Sequence, residues 1–251
     1  MRILITNDDG IHAPGLKVLE SIAKALSKDV WIVAPETEQS GASHSLTLSR
    51  PLRVRKISKK KFAVDGTPTD CTLMALTEII KGTRPDLVLS GVNRGANLAE
   101  DVTYSGTVAA AMEATLLGVP AIAMSQVLSF GHPVKWATAE NHAPPLIRKL
   151  VKAGWPKNVL LNINFPDVMH DAVQGVKVTT QGQRDLSDMV MDKRVDARGF
   201  PYYWIGFRRE IGEPEPGTDI AAVAKGYVSL TALQLNLTDE PTMAALKKAI
   251  R

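Results

Sequence analysis

A single cysteine, Cys71, stands in the 251 residues, so an intramolecular disulfide is excluded. That absence suits a reducing compartment. No apolar run approaches the roughly 20 residues that a membrane-spanning helix needs. The apolar run Ile3-Leu4-Ile5 meets carboxylates at Asp8 and Asp9 too early for a secretory signal. A soluble, cytoplasmic chain that engages no membrane is therefore expected. Basic residues exceed acidic ones only slightly, for a formal charge of +4, and Lys59-Lys60-Lys61 is the longest basic run. A mild positive excess helps to draw anionic substrates, but no stable nucleic-acid complex is expected from it. Two nucleotide signatures are missing too. No G-x-G-x-x-G follows the first strand, and no G-x-x-x-x-G-K-[ST] loop occurs. Internal repeats and low-complexity segments are also lacking.

What is present reads as an ordinary globular chain, 45% hydrophobic and 22% charged, long enough for a real core. Leu16, Leu19, Ile22, Ala23 and Leu26 follow helical spacing. The run 30–34 reads as a strand stopped by Pro35, so residues 2–34 form a β-α-β unit with a right-handed crossover. Further strands are expected at 86–89, 119–125 and 159–164. Helices are expected after a turn at 66–70 capped by Thr69 or Asp70, from about Ser105, and over 142–153. This alternation predicts an α/β fold, a three-layer Rossmann-like arrangement around a mostly parallel sheet. The pattern changes after Pro166. Strand-like runs recur at 176–180, 202–207 and 227–233, and 181–201 is polar. Helices start near Thr218 or Asp219 and at Thr242. The chain thus reads as a single α/β domain, 1–251. Its core covers about 1–166 with a C-terminal strand and helix, and a β-hairpin appendage lies within about 176–235. The aromatic strand suits an oligomer interface, or packing on its own subunit.

Chemistry concentrates in loops that follow the strands. Thr6-Asn7-Asp8-Asp9-Gly10 leaves the carboxyl end of the first strand, the edge where open α/β sheets bind ligands. Adjacent carboxylates repel unless a cation or proton intervenes, and their oxygens suit Mg²⁺, Mn²⁺ or Ca²⁺. A plain Asp-Gly turn is the alternative. Residues 36–49 emerge at the same edge, with Ser40, Ser43, His44 and Ser45 free to face a ligand or to satisfy the local backbone. In the run 90–97, glycines admit close approach of an anion, and Asn93 and Asn97 offer neutral oxygens or amide donors. Ser105-Gly106-Thr107 opens a helix of small residues, whose start is an anion site or a simple cap. Cys71 reads as a packed small residue rather than a nucleophile.

These stretches together resemble the SurE nucleotidase family, the stationary-phase survival proteins. The resemblance rests on Ile5-Thr-Asn-Asp-Asp-Gly-Ile-His-Ala-Pro-Gly15, Ala34-Pro35, Ser40-Gly-Ala-Ser43, Gly66-Thr-Pro-Thr-Asp-Cys71, Ser90-Gly-Val-Asn-Arg-Gly-Ala-Asn97 and Tyr104-Ser-Gly-Thr-Val108. It implies a metal-dependent phosphatase acting on nucleoside 5′- and 3′-monophosphates, with some members trimming short polyphosphate. It also implies one divalent ion per subunit, held by Asp8, Asp9, Ser40 and Asn93, with Mg²⁺ or Mn²⁺ ahead of Ca²⁺. Homodimers or homotetramers that embrace through C-terminal elements are implied as well. Phosphate contacts are expected from backbone amides near Gly41 and Gly95, from Asn97, and from Ser105, Gly106 and Thr107. Asp8 and Asp9 are the candidate catalytic residues, with Asp9 open to a role as ligand, base or nucleophile. His12 and His44 are read as outer or packing residues. The competing reading is a Rossmann-like nucleotide-binding protein without hydrolysis.

Overall fold

The computed structural model describes residues 1–129, 131–183, 189–207 and 213–250. β1 (Arg2–Thr6), α1 (Pro14–Leu26) and β2 (Asp29–Pro35) form the first β-α-β unit. A hairpin of β3 (Val54–Ser58) and β4 (Lys61–Val64) follows, then α2 (Pro68–Met74), continued by a π-helical turn over Ala75–Ile79. Next come β5 (Leu87–Arg94), the short α3 (Asp101–Tyr104), α4 (Gly106–Leu116) and β6 (Ala121–Gln126). α5 (Trp136–Ala153) and β7 (Val159–Phe165) complete the parallel part. Beyond them lie β8 (Val176–Thr179), β9 (Met189–Val195), β10 (Pro201–Phe207), α6 (Asp219–Ala224), β11 (Val228–Gln234) and α7 (Glu240–Ala249).

Nine strands make one sheet in the order β3-β4-β2-β1-β5-β6-β7-β11-β8. From β4 to β7 every pairing is parallel, while β3 and β11 run antiparallel to their inner neighbours. Alternating side chains of β1 serve opposite faces, as a period of two requires. Ile3 and Ile5 join Leu16, Leu19 and Ile22 of α1 and Ala139 and Ile147 of α5 in one apolar layer. Leu4 joins Cys71 of α2 and Val108, Ala111 and Ala114 of α4 in the other. That is the expected three-layer α/β arrangement. α4 is buried almost all round, and its alanines and glycine let it lie close against the sheet. Cys71 is fully buried and its thiol is pushed well up by that burial, so it packs rather than attacks.

Four local expectations shift. Thr67, not Thr69 or Asp70, caps α2. Its hydroxyl accepts from the Asp70 N–H while the Asp70 carboxylate accepts from the Thr67 N–H, a reciprocal capping box. α5 begins at Trp136 rather than at residue 142 and carries Pro144 and Pro145 inside it. A proline pair suits a first turn better than an interior, which is why the sequence pattern places the start later. The polar stretch 181–201 contains β9, antiparallel to β10; its residues 184–188 lie outside the described ones. β8 and β11 belong to the main sheet, so among the described residues of 176–235 only the β9–β10 ribbon forms a separate sheet.

Candidate metal and phosphate site

β2 flanks β1 on one side and β5 flanks it on the other, so the chain changes direction at β1. Loops leaving the carboxyl ends of β1 and β5 diverge there and open the crevice in which such sheets bind ligands. Asp8 and Asp9 stand in it. The Asn7 side-chain amide donates to the Gly10 carbonyl at 3.0 Å and closes their turn. Asp8 is only 5% exposed; Asp9 is half-buried. Asp8 Oδ1 accepts the Thr107 hydroxyl proton, and the carboxylate also accepts from the Thr107 main chain. The protein's own carboxylate therefore occupies the start of α4, where helix N–H groups favour negative charge. Gly106 makes that approach possible. A Cβ there would sit 2.9 Å from Asp8 Cβ, 3.1 Å from Pro68 Cγ and 3.2 Å from Asp8 Oδ2.

Burial pushes the Asp8 carboxyl up to about 6, and the neighbouring Asp9 charge adds to the rise that the Thr107 donors oppose. Asp9 is also raised, first by burial and then by the charge of Glu38, against the pull of the Arg94 N–H and guanidinium. That N–H lies 3.3 Å from Asp9 Oδ2. Among the described residues no cationic side chain offsets the charge of Asp8. None of these residues gathers three or more His, Cys, Asp or Glu side chains into one group. Two carboxylates short of positive charge, with neutral oxygens to complete the shell, suit a small hard cation rather than zinc or copper.

The other two loops are tied to this pair. The Gln39 N–H donates to the Asp8 carbonyl at 2.8 Å, which sets Ser40 beside it in sequence. Ser40 Oγ donates to Glu38 Oε1 at 2.8 Å. Ser43 Oγ donates to the Thr103 carbonyl, His44 Nε2 lies 3.0 Å from Glu113 Oε2, and Ser45 Oγ donates to the Ala42 carbonyl. Those three side chains fasten the loop. On β5, the register against β6 slips between Ser90 and Asn93, a bulge of the kind that re-aims side chains beside active sites. Gly91 permits it with φ +131°, and a Cβ there would meet the Met124 carbonyl oxygen at 2.2 Å. Asn93 then donates its amide to the Gly95 carbonyl at 3.1 Å, a bond that leaves Oδ1 able to accept. His12 is exposed.

The expected phosphate contacts divide. The Gly95 N–H is committed to the Gln126 carbonyl at 3.0 Å, and the Asn97 side-chain amide to Ser125 Oγ at 2.7 Å. The Thr107 hydroxyl serves Asp8. Ser105 is the helix cap, accepting from the Val108 N–H at 3.1 Å. Gly41 sits on an exposed turn with φ +76°. Sequence reasoning missed the roles of Thr107, Glu38 and Arg94 around the carboxylates. It also missed Asn162 and Asn164, which hold Asn97 from β7. Two asparagines at alternate positions of an otherwise apolar strand were the available signal.

The family model described as survival protein SurE matches residues 3–188. The protein called 5′-nucleotidase SurE from Paramagnetospirillum magneticum is 60% identical over 249 residues, covering 99% of this chain and 95% of that one. Its namesake from Parvibaculum lavamentivorans is 58% identical, covering 100% and 91%. A crystal structure of the SurE protein from Aquifex aeolicus superposes with a TM-score of 0.87 at 40% identity and covers the whole of both chains. With its motifs gathered at one sheet edge and this likeness running its full length, the chain belongs to the SurE family.

Proposed function

We propose that this chain is a divalent-metal-dependent phosphatase that hydrolyses nucleoside 5′-monophosphates, with 3′-monophosphates and short polyphosphate as further substrates. The observation that carries the reading is the linkage of three strand-end loops around Asp8 and Asp9. Gln39, beside Ser40, bonds the Asp8 main chain, and Arg94, beside Asn93, bonds the Asp9 carboxylate. The relatives named 5′-nucleotidase supply the substrate class. Asp8, Asp9, Asn93 and Ser40 would hold one Mg²⁺ or Mn²⁺ per subunit, Ser40 by exchanging its bond to Glu38. When bound, the ion neutralises phosphoryl charge and makes water a better nucleophile.

The chain's own groups do the rest. Thr107 fixes the Asp8 carboxylate so that its orientation is set before substrate arrives. Asp9 is the more exposed of the two. The oxygen that Arg94 does not engage is placed to take a proton from the attacking water. Water adds to phosphorus, the ester bond breaks, and the nucleoside oxygen leaves as a hydroxyl by taking up a proton in place of the one Asp9 removed. The amides of the Gly41 turn and the Gly106 N–H at the start of α4 are assigned to the remaining phosphoryl oxygens. The Arg94 guanidinium beside Asp9 adds positive charge for the incoming phosphate.

The chain acts in this proposal as one domain with an appendage. The β9–β10 ribbon exposes Tyr203, Trp204 and Ile205, more than half of each, and joins copies into a dimer or tetramer.

The test is phosphate release from nucleoside 5′- and 3′-monophosphates and short polyphosphate by protein stripped with chelator, then re-supplied with Mg²⁺, Mn²⁺ or Ca²⁺. Activity lost on stripping and restored by Mg²⁺ or Mn²⁺ is the expected result. Release indifferent to metal overturns it, and nucleotide binding with no release under any metal favours the binding-protein reading.

A further inference from the structure

The loop that joins β5 to α3 is gripped from outside the site. Asn164 of β7 meets the main chain of Asn97 at two points: its Oδ1 accepts the Asn97 N–H at 2.8 Å, and its Nδ2 donates to the Asn97 carbonyl at 3.0 Å. Asn162, two residues earlier on the same face, donates to that carbonyl as well, at 2.8 Å. The Asn97 side chain closes on Ser125 of β6. Two residues on, the Ala99 N–H donates to Asp219 Oδ2 at 2.9 Å. Asn97, Ser125, Asn162, Asn164 and Asp219 are all buried.

This grip is connected to Asn93 through the sheet. Asn93 is in register with Ser125, and Ser125 with Asn164, so one row of polar residues crosses β5, β6 and β7 at their carboxyl ends. Apolar residues would fill these β7 positions at lower cost. A buried amide needs its partners, and Asn162 Oδ1 has none among the described residues. That unpartnered acceptor costs stability, while the four hydrogen bonds on Asn97 fix the loop's main chain in place.

We propose that Asn164, assisted by Asn162, is a positioning residue for the reaction. It holds the loop from Asn93 to Asn97 at the height that sets Asn93 Oδ1, and the Arg94 N–H that bonds Asp9, at the site. This rests on the assignment of Asn93 to the site. Misplacement of about 1 Å by a residue remote from the chemistry costs about 10²-fold in rate. Asn164→Ala, folded by circular dichroism, is expected to lose about that much kcat on adenosine 5′-monophosphate at saturating Mn²⁺. KM should change less than about threefold, because loop height matters most to the transition state. Asn164→Asp keeps the shape and the acceptor for the Asn97 N–H but sets an oxygen against the Asn97 carbonyl, so it should lose kcat as well, and it decides the matter where the alanine variant does not fold. Asn93→Ala runs alongside. Wild-type kcat in Asn164→Ala or Asn164→Asp, beside an inactive Asn93→Ala, overturns the positioning role alone, even where melting temperature falls. Wild-type kcat in Asn93→Ala as well overturns the site assignment beneath it.

Discussion

Replacing Asp8 by asparagine is expected to abolish metal-restored phosphatase activity, lowering kcat by about 10³-fold or more, and to leave the metal-free protein at least as stable. The first effect follows from the loss of a carboxylate that anchors the cation, whose charge supplies several kcal/mol of transition-state stabilisation. The second follows from burial. Asp8 is 5% exposed, stands next to Asp9, and has no cationic side chain to offset it among the described residues. A buried charge without a partner costs stability, and the amide has nearly the same shape without the charge. Its oxygen can still accept the Thr107 hydroxyl proton. Rates at saturating Mn²⁺ and melting curves in chelator measure the two effects. A variant that loses activity because it unfolds, or one that keeps wild-type kcat, would each contradict the assignment.

Gly106→Ala carries the second large expected effect, on a residue with no side chain to touch substrate. An added Cβ falls 2.9 Å from Asp8 Cβ and 3.1 Å from Pro68 Cγ, closer than packed carbon atoms approach. Neither neighbour gives way easily, since Asp8 is tied to Thr107 and Pro68 opens α2. Overpacking of this kind costs about 1–3 kcal/mol. Relief comes most readily by moving Asp8 off the start of α4, so kcat should fall about 10²-fold while the protein still folds. A Gly106→Ala enzyme as active as wild type would show that the contact between helix and carboxylate has no part in catalysis.

The layers and the convergence of the three loops were legible in the sequence for the same physical reason. Strand and helix periods alternate cleanly through residue 165, and parallel strands send all their following loops to one edge. Asp8, Ser40 and Asn93 therefore had to emerge together once the strands were placed. The roles that escaped are side-chain contacts between distant segments. Thr107 reads as a helix-start hydroxyl, and nothing near it in sequence tells that its partner is Asp8, 99 positions away. Asn97 reads as a free loop amide, yet β7 takes its main chain and β6 its side-chain NH2. The C-terminal strands were harder for another reason. β11 enters the sheet antiparallel, between β7 and β8, and short strands of that kind leave the same local pattern in a sheet edge as in a separate hairpin.

The most direct test of the account is to place Mn²⁺ in crystals of this chain by its anomalous scattering. One ion per chain is predicted, bounded by Asp8, Asp9 and Asn93 Oδ1, with the Ser40 hydroxyl turned from Glu38 toward it. An ion held elsewhere, or none at the carboxylate pair in crystals of metal-activated enzyme, would contradict the claim that Asp8 and Asp9 are the metal centre.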